Sequence, residues 1–127
     1  MANPVPHSSP VPIRIAVAGA SGRMGRMLIE AIRESDDCVL AGALDVPASP
    51  GIGSDATAFL GYASGVPITA DLDCGLATAD VLIDFTRPEG TLAHLTACVR
   101  HGVQAVVGTT GFSDAQKAEI AGHAEHI

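Results

Sequence analysis

The stretch Ile13 to Gly25, I-R-I-A-V-A-G-A-S-G-R-M-G, constrains the fold of this chain more than any other. Ile13, Ile15 and Val17, with small Ala16 and Ala18 among them, are expected to form a short strand buried on both faces. The chain then turns through Gly19, Ala20, Ser21 and Gly22, and a helix is expected over Arg23 to Arg33. A strand that feeds a glycine turn and then a helix aims the first helical N–H groups at a ligand. The positive end of the helix dipole favours an anionic one, such as a pyrophosphate. Gly22 would leave no Cβ beneath that pyrophosphate, and Gly25 would let the helix lie close on the sheet. The spacing is G-x-x-G-x-x-G, with Ala20 where the stricter G-x-G-x-x-G has a glycine. Glycine-rich turns also serve as plain structural loops, so these residues alone leave both readings open.

Asp45 adds the second half of the pattern. Val39 to Leu44 is expected as a second strand, and it ends at Asp45, twenty positions after Gly25. A carboxylate at that tip is placed to accept both hydroxyls of an adenosine ribose. A strand, glycine turn, helix, strand and acid within one βαβ span point to a nicotinamide-dinucleotide site.

At 127 residues the chain is long enough for one domain with its own core. The aromatic residues are Phe59, Phe85, Phe112 and Tyr62 alone, so the core must be built from Ala, Val, Ile and Leu. That composition suits a parallel sheet covered by helices. A net charge of −7 argues against a general nucleic-acid or membrane-surface binder. Arg14, Arg23, Arg26 and Arg33 nevertheless cluster in the first βα unit, where a dianionic cofactor would sit; Arg26 and Arg33 are read as solvated helix-face charges. Cys38, Cys74 and Cys98 form no close pair, which suggests neither a disulfide framework nor a zinc site and makes a reducing cytoplasm the simplest setting. No apolar run approaches a membrane span, and the amino terminus lacks a basic-then-apolar signal pattern. Residues 1–12, with prolines at 4, 6, 10 and 12, are expected as a disordered or extended lead-in to a dinucleotide-binding domain over 13–127.

Further along, a short helix capped by Ser54 is expected over Ser54 to Leu60, a third strand over Val66 to Thr69 and a helical turn over Asp71 to Ala77. Asp80 to Phe85 is a strong fourth strand. Thr86 and Glu89 match a capping box that opens a helix running to His101 and stopping at Gly102. Val103 to Val107 makes a fifth strand, closed by Gly108, Thr109, Thr110 and Gly111, and Ser113 with Gln116 caps a last helix. This alternation predicts an α/β fold, a doubly wound parallel sheet of the Rossmann type. The loops 19–25, 85–88 and 108–111 all follow strands and therefore share one rim, where ligands of such sheets lie.

V-A-G-A-S-G-R-M-G at 17–25, D-F-T-R-P-E-G-T at 84–91 and V-G-T-T-G-F at 107–112 closely resemble the 4-hydroxy-tetrahydrodipicolinate reductase family, long called dihydrodipicolinate reductase. Members reduce a cyclic imine dicarboxylate with NADH or NADPH in lysine and diaminopimelate biosynthesis. The resemblance implies that Gly19, Ala20, Ser21, Gly22, Arg23 and Met24 hold the pyrophosphate and Asp45 the adenosine ribose. Phe85 and Thr86 would line the nicotinamide side. Gly108, Thr109 and Thr110 would hold the nicotinamide end, with Thr110 also reaching a substrate carboxylate. From the residues alone, Thr109-Thr110 is equally a plain strand-end turn.

Two departures qualify the resemblance. Where members carry an arginine for the 2′-phosphate of NADPH, Val46 follows the acid, and only Arg23 is placed to offset repulsion from Asp45. NADH is therefore expected to bind at least as well as NADPH. Members also have a further half, with a motif resembling E-x-x-H-H-x-x-K-x-D-A-P-S-G-T that supplies the proton donor, the substrate site and the homotetramer contacts; nothing here matches it. No catalytic residue is assigned to this chain, which is expected to turn over nothing alone. His94 and His101 share a face of the helix after the fourth strand, and His123 and His126 lie on the last helix. These and His7 are read as surface, core-edge or lead-in residues, not as metal ligands. Asp80 and Asp84 are read as strand-end residues, not as an acid/base pair. Alternatives are a stand-alone nucleotide-sensing module, an aspartate- or homoserine-dehydrogenase cofactor domain, and a CoA-binding domain. The last would need no carboxylate at Asp45, and the continuation of the reading frame after Ile127 separates reductase from sensor.

Overall fold

A computed structural model describes residues 11–125 of the chain. Residues 1–10 of the expected lead-in, with His7, lie outside that span, as do His126 and Ile127. Among the described residues the elements are β1 (Ile13–Ala18), α1 (Arg23–Glu34), β2 (Cys38–Leu44), β3 (Ile68–Thr69), α2 (Leu72–Leu76), β4 (Val81–Asp84), α3 (Pro88–His101), β5 (Gln104–Val107) and α4 (Asp114–Ala124). The five strands pair in parallel in the order β3-β2-β1-β4-β5. The chain therefore starts at the centre, winds outward to β3, and crosses back to lay β4 on the other side of β1. The reversal beside β1 is the topological switch point, where the diverging connections leave a crevice.

Alternation within β1 decides what covers each face. Ile15 and Val17 pack with Ala20, Ile29, Ile32, Ala43 and Ile68 under α1. Ala16 and Ala18 turn to the other face, with Leu44, Leu76, Leu82, Ala97, Cys98 and Val103 under α2 and α3. Small residues on that second face bring backbone against backbone: a Cβ at Gly42 of β2 would collide with the Gly75 carbonyl of α2. The expected double burial of β1 begins only at Ile15, since Ile13 is 47% exposed. The β1–β2 register also shifts between Ile15 and Ala16, leaving Ala41 as an extra residue in β2.

Several local expectations are corrected. No Ser54-capped helix forms; a short 3-10 turn occupies Ala58–Leu60 instead. Asp55 takes over the loop by accepting hydrogen bonds from the amides of Thr57, Ser64 and Gly65 and from the Thr57 and Ser64 hydroxyls. Such side-chain bonds offer the backbone an alternative to a helix. Those donors, the Thr57 amide foremost, hold the Asp55 carboxyl far below the usual carboxylate range. The Thr86–Glu89 capping box is also absent: Arg87 is the N-cap of α3, with no side-chain cap bond, and Pro88 opens the helix. Gly102 ends α3, and the Ser113–Gln116 box does form at the start of α4.

Arg26 and Arg33 are exposed on the helix face, as expected, and each also lies over an aromatic ring. Arg26 lies over the Phe59 ring at 5.0 Å and Arg33 over the Tyr62 ring at 4.8 Å, which straps the β2–β3 connection across α1. Arg14 pairs with Asp80 at 3.0 Å near the amino ends of β1 and β4, on the rim away from the strand ends that face a ligand. Cys38, Cys74 and Cys98 are free thiols. Among the described residues no helix is long and apolar enough to cross a membrane, and no group of three His, Cys, Asp or Glu side chains stands together.

Candidate functional site

The carboxyl ends of β1, β2 and β4 open into a cleft of about 940 Å³ at the switch point. Gly19, Gly22, Arg23, Met24, Asp45, Phe85 and Thr86 line it, whereas Ala20, Ser21, Gly108, Thr109 and Thr110 do not.

Hydrogen bonds explain the division within the glycine turn. The Gly19 and Ala20 amides both donate to the Leu44 carbonyl, at 2.8 and 3.0 Å, and the Gly22 amide donates to the Gly19 carbonyl at 2.9 Å. The Ser21 amide donates to Asp45 Oδ2 at 3.0 Å, and the Ser21 hydroxyl accepts from Ser49 at 3.2 Å. Ala20 and Ser21 thus shape the turn and tie it to β2 and its following loop. Intrahelical bonding begins with the Arg26 amide donating to the Gly22 carbonyl at 3.0 Å. The amides of Arg23, Met24 and Gly25 have no acceptor among the described residues. These three donors stand at the positive end of the α1 dipole, an arrangement that fits an anionic pyrophosphate. The geometry depends on close approach: a Cβ at Gly25 would collide with the Gly19 carbonyl, and Gly19 itself turns at φ 80°.

Asp45 is fixed before any ligand arrives. Oδ2 takes the Ser21 amide and Oδ1 the Val46 amide at 2.8 Å. A carboxylate has about four lone-pair directions, so two remain for hydroxyl donors. Val46, beside it, is 61% exposed and apolar, and Arg23 lines the same cleft.

On the other side of β1, the Phe85 ring lies across Gly108, where a Cβ would collide with it. The Gly108 amide donates to the Asp84 carbonyl at 2.7 Å, so the turn after β5 borders the cleft through Phe85. Thr109 faces inward, its hydroxyl accepting from Thr91 at 2.8 Å. Thr110 is exposed.

Beneath this rim sits a group that the sequence reading placed but did not value. Asp84 ends β4, as expected, and is 0% exposed. Its Oδ1 accepts from the Thr86 amide at 2.9 Å and the Thr86 hydroxyl at 2.5 Å, so Thr86, one residue before the α3 N-cap, is turned toward Asp84. Its Oδ2 meets His94 Nδ1 at 2.6 Å. Burial alone would push this carboxyl up, but the bonds from His94 and Thr86 outweigh it and hold Asp84 below the usual carboxylate range. His94 occupies a core-edge position, as expected, yet also lines the cleft, together with Arg87 and Glu89. Helical spacing carried that signal: Thr91, His94, Leu95 and Cys98 recur at three- and four-residue steps and share the sheet-facing side of α3.

The fold and this crevice define a dinucleotide-binding domain of the Rossmann type. The family model described as dihydrodipicolinate reductase, N-terminus, matches residues 13–127. The chain belongs to that family. It is 64% identical over 113 residues to the 4-hydroxy-tetrahydrodipicolinate reductase of Herminiimonas arsenicoxydans, covering 89% of this chain and 42% of the relative. The enzyme of the same name from Cupriavidus taiwanensis is 62% identical over 115 residues, covering 91% and 43%. Among solved structures, the dipicolinate-bound dihydrodipicolinate reductase from Paenisporosarcina sp. TG-14 superposes with a TM-score of 0.71 at 28% identity, over 91% of this chain and 44% of that one. The biliverdin reductase of Synechocystis sp. PCC 6803, bound to biliverdin and NADP+, reaches the same TM-score over 91% of this chain and 35% of that one, at 15% identity, and shares the fold. The chain spans less than half the length of the curated relatives.

Proposed function

We propose that this chain is the cofactor-holding part of a reductase that passes hydride from a nicotinamide dinucleotide to a cyclic imine dicarboxylate, yielding tetrahydrodipicolinate for lysine and diaminopimelate synthesis. The observation that carries the reading is the pairing, across one cleft, of the free amides of Arg23, Met24 and Gly25 with the pre-fixed carboxylate of Asp45. A bound nicotinamide supplies the hydride. The residues here hold it: the three amides take the pyrophosphate, Asp45 the adenosine ribose, and Phe85 and Thr86 the nicotinamide side, with Gly108, Thr109 and Thr110 closing its far end. Thr110, exposed at the rim, also meets a substrate carboxylate. Work of this kind is orientation and exclusion of water.

The proton donor, most of the substrate site and the contacts of a homotetramer belong to the part of the enzyme beyond this chain, which alone turns over nothing. The substrate class is supported by the dipicolinate bound to the similar solved enzyme. Three free thiols and the biosynthetic family support a cytoplasmic setting.

NADH binds at least as well as NADPH. An extra phosphate on the ribose would meet the Asp45 carboxylate and the apolar Val46, with Arg23 in the lining of the same cleft to offset the repulsion. Calorimetric titration of the chain with both cofactors at one salt concentration tests this. Saturable NADH binding that Asp45→Ala abolishes is expected; tighter NADPH binding removes the preference, and no binding of either cofactor removes the reading.

A further inference from the structure

Burying Asp84 while leaving it charged is costly unless its partners are arranged for it, and those partners lead directly into the cleft. Oδ1 is occupied by the Thr86 amide and hydroxyl, so Oδ2 remains for His94. The carboxylate accepts, which puts a proton on Nδ1; in a neutral imidazole Nε2 is then a lone-pair acceptor. Nε2 has no partner among the described residues, although the side chain is only 13% exposed. One helical turn earlier, a Cβ at Gly90 would sit tightly against Thr86 Oγ1 at 3.3 Å and in ordinary contact with His94 Cε1 at 3.7 Å. The Thr109 hydroxyl, which accepts from Thr91, also lies 3.5 Å from Asp84 Oδ1.

We propose that His94 contacts the bound dinucleotide directly, its Nε2 accepting a hydrogen bond from a ribose hydroxyl, and that Asp84 is the positioning residue that makes Nε2 the acceptor. The inference rests on the reading of the cleft as a dinucleotide site. Phosphate oxygens offer an acceptor nothing. The hydroxyls of the two riboses flank the pyrophosphate, and the Arg23–Gly25 amides that fit that pyrophosphate border the same cleft as His94. Asp45 and His94 then act as two separate acceptors for sugar hydroxyls, one at a strand tip and the other on a helix.

Substitution separates contact from support. His94→Asn keeps a donor near the Nδ1 position for Asp84 but has no atom at Nε2, whereas His94→Gln reaches the Nε2 position. If His94 only satisfies the Asp84 carboxylate with a hydrogen bond, the asparagine variant binds cofactor normally. The proposal expects it to retain the wild-type urea midpoint while binding NADH about three- to tenfold more weakly, the scale of one lost hydrogen bond. His94→Gln is expected to recover part of that loss. In the wild-type chain at pH 8, nitrogen NMR should report the Nδ1–H tautomer of His94, and its Nε2 resonance should move on adding NADH or ADP-ribose. A matching shift with ADP assigns the hydroxyl to the adenosine ribose, and its absence with ADP to the second ribose. An Nε2–H tautomer, an unmoved Nε2 at saturating NADH, or wild-type affinity in His94→Asn each overturns the proposal while leaving the cofactor site standing. Failure of the wild-type chain to bind NADH overturns both. The NMR readout needs no variant, so it decides the matter even if His94→Asn does not fold.

Discussion

Asp84 shows how one side chain joins stability to function. It carries its charge without exposed surface and holds Thr86 from β4's own exit and His94 from α3. Replacing it by Leu leaves those donors facing an apolar group, and a loss of about 1–3 kcal/mol is expected, read as a fall in the urea midpoint. The pH dependence has a definite sign. A carboxyl held below its unfolded value stabilises the fold fully above that value, and the contribution is lost as pH falls through the folded one. Asp84, Asp55, Asp73 and Asp80 are all shifted in this direction. Stability should therefore hold from neutral pH down to roughly pH 4 and fall below it, with a shallower fall in Asp84→Asn. Urea titrations across pH 2–7 would show a rise on acidification if the sign were wrong.

At the scale of elements, α1 and α4 stand at opposite extremes. α1 buries Gly25, Ile29 and Ile32 against the sheet and is strapped on its outer side by Phe59 and Tyr62. α4 has no buried residue, and it is fixed mainly by its contact with α3 and by the Ser113–Gln116 capping box. Ser113→Ala should cost that helix about 1 kcal/mol. The effect belongs to α4 alone, so hydrogen exchange should quicken in its amides while those of β1 keep their protection. Equal quickening in both would mean that α4 is coupled to the core more tightly than its exposure indicates. The loss of the Thr86 cap at α3 belongs to this scale too. The helix begins one residue later than a Thr86–Glu89 box requires, with Arg87 as the N-cap, and Thr86 is left outside it with its hydroxyl turned to the buried Asp84 carboxylate.

Across the whole molecule, the site is a property of strand order. Gly19, Asp45 and Thr86 are far apart in sequence and meet because the sheet reverses direction beside β1. A ligand held by all three elements stabilises the fold as a unit. At an NADH concentration about one hundred times the dissociation constant the gain should be about 2.7 kcal/mol. Thermal unfolding should shift upward accordingly, and Asp45→Ala should remove most of that shift. A shift that survives Asp45→Ala would place the main grip on the dinucleotide elsewhere in the cleft.

Much of this was legible in the residues themselves. The periodic apolar runs, the glycine turn, the Ser113–Gln116 box, the Gly102 stop and the three motifs at 17–25, 84–91 and 107–112 are local signals, and they determined the alternation of elements, the parallel sheet and the family. What the chain could not announce was which donors were already taken. That Ala20 and Ser21 spend their amides on Leu44 and Asp45, that Thr86 turns to Asp84, and that His94 is held by a carboxylate ten residues away are outcomes of competition among nearby partners. Sequence spacing sets which partners are available. Only the packed structure, by fixing their distances and excluding water, decides which bond is made.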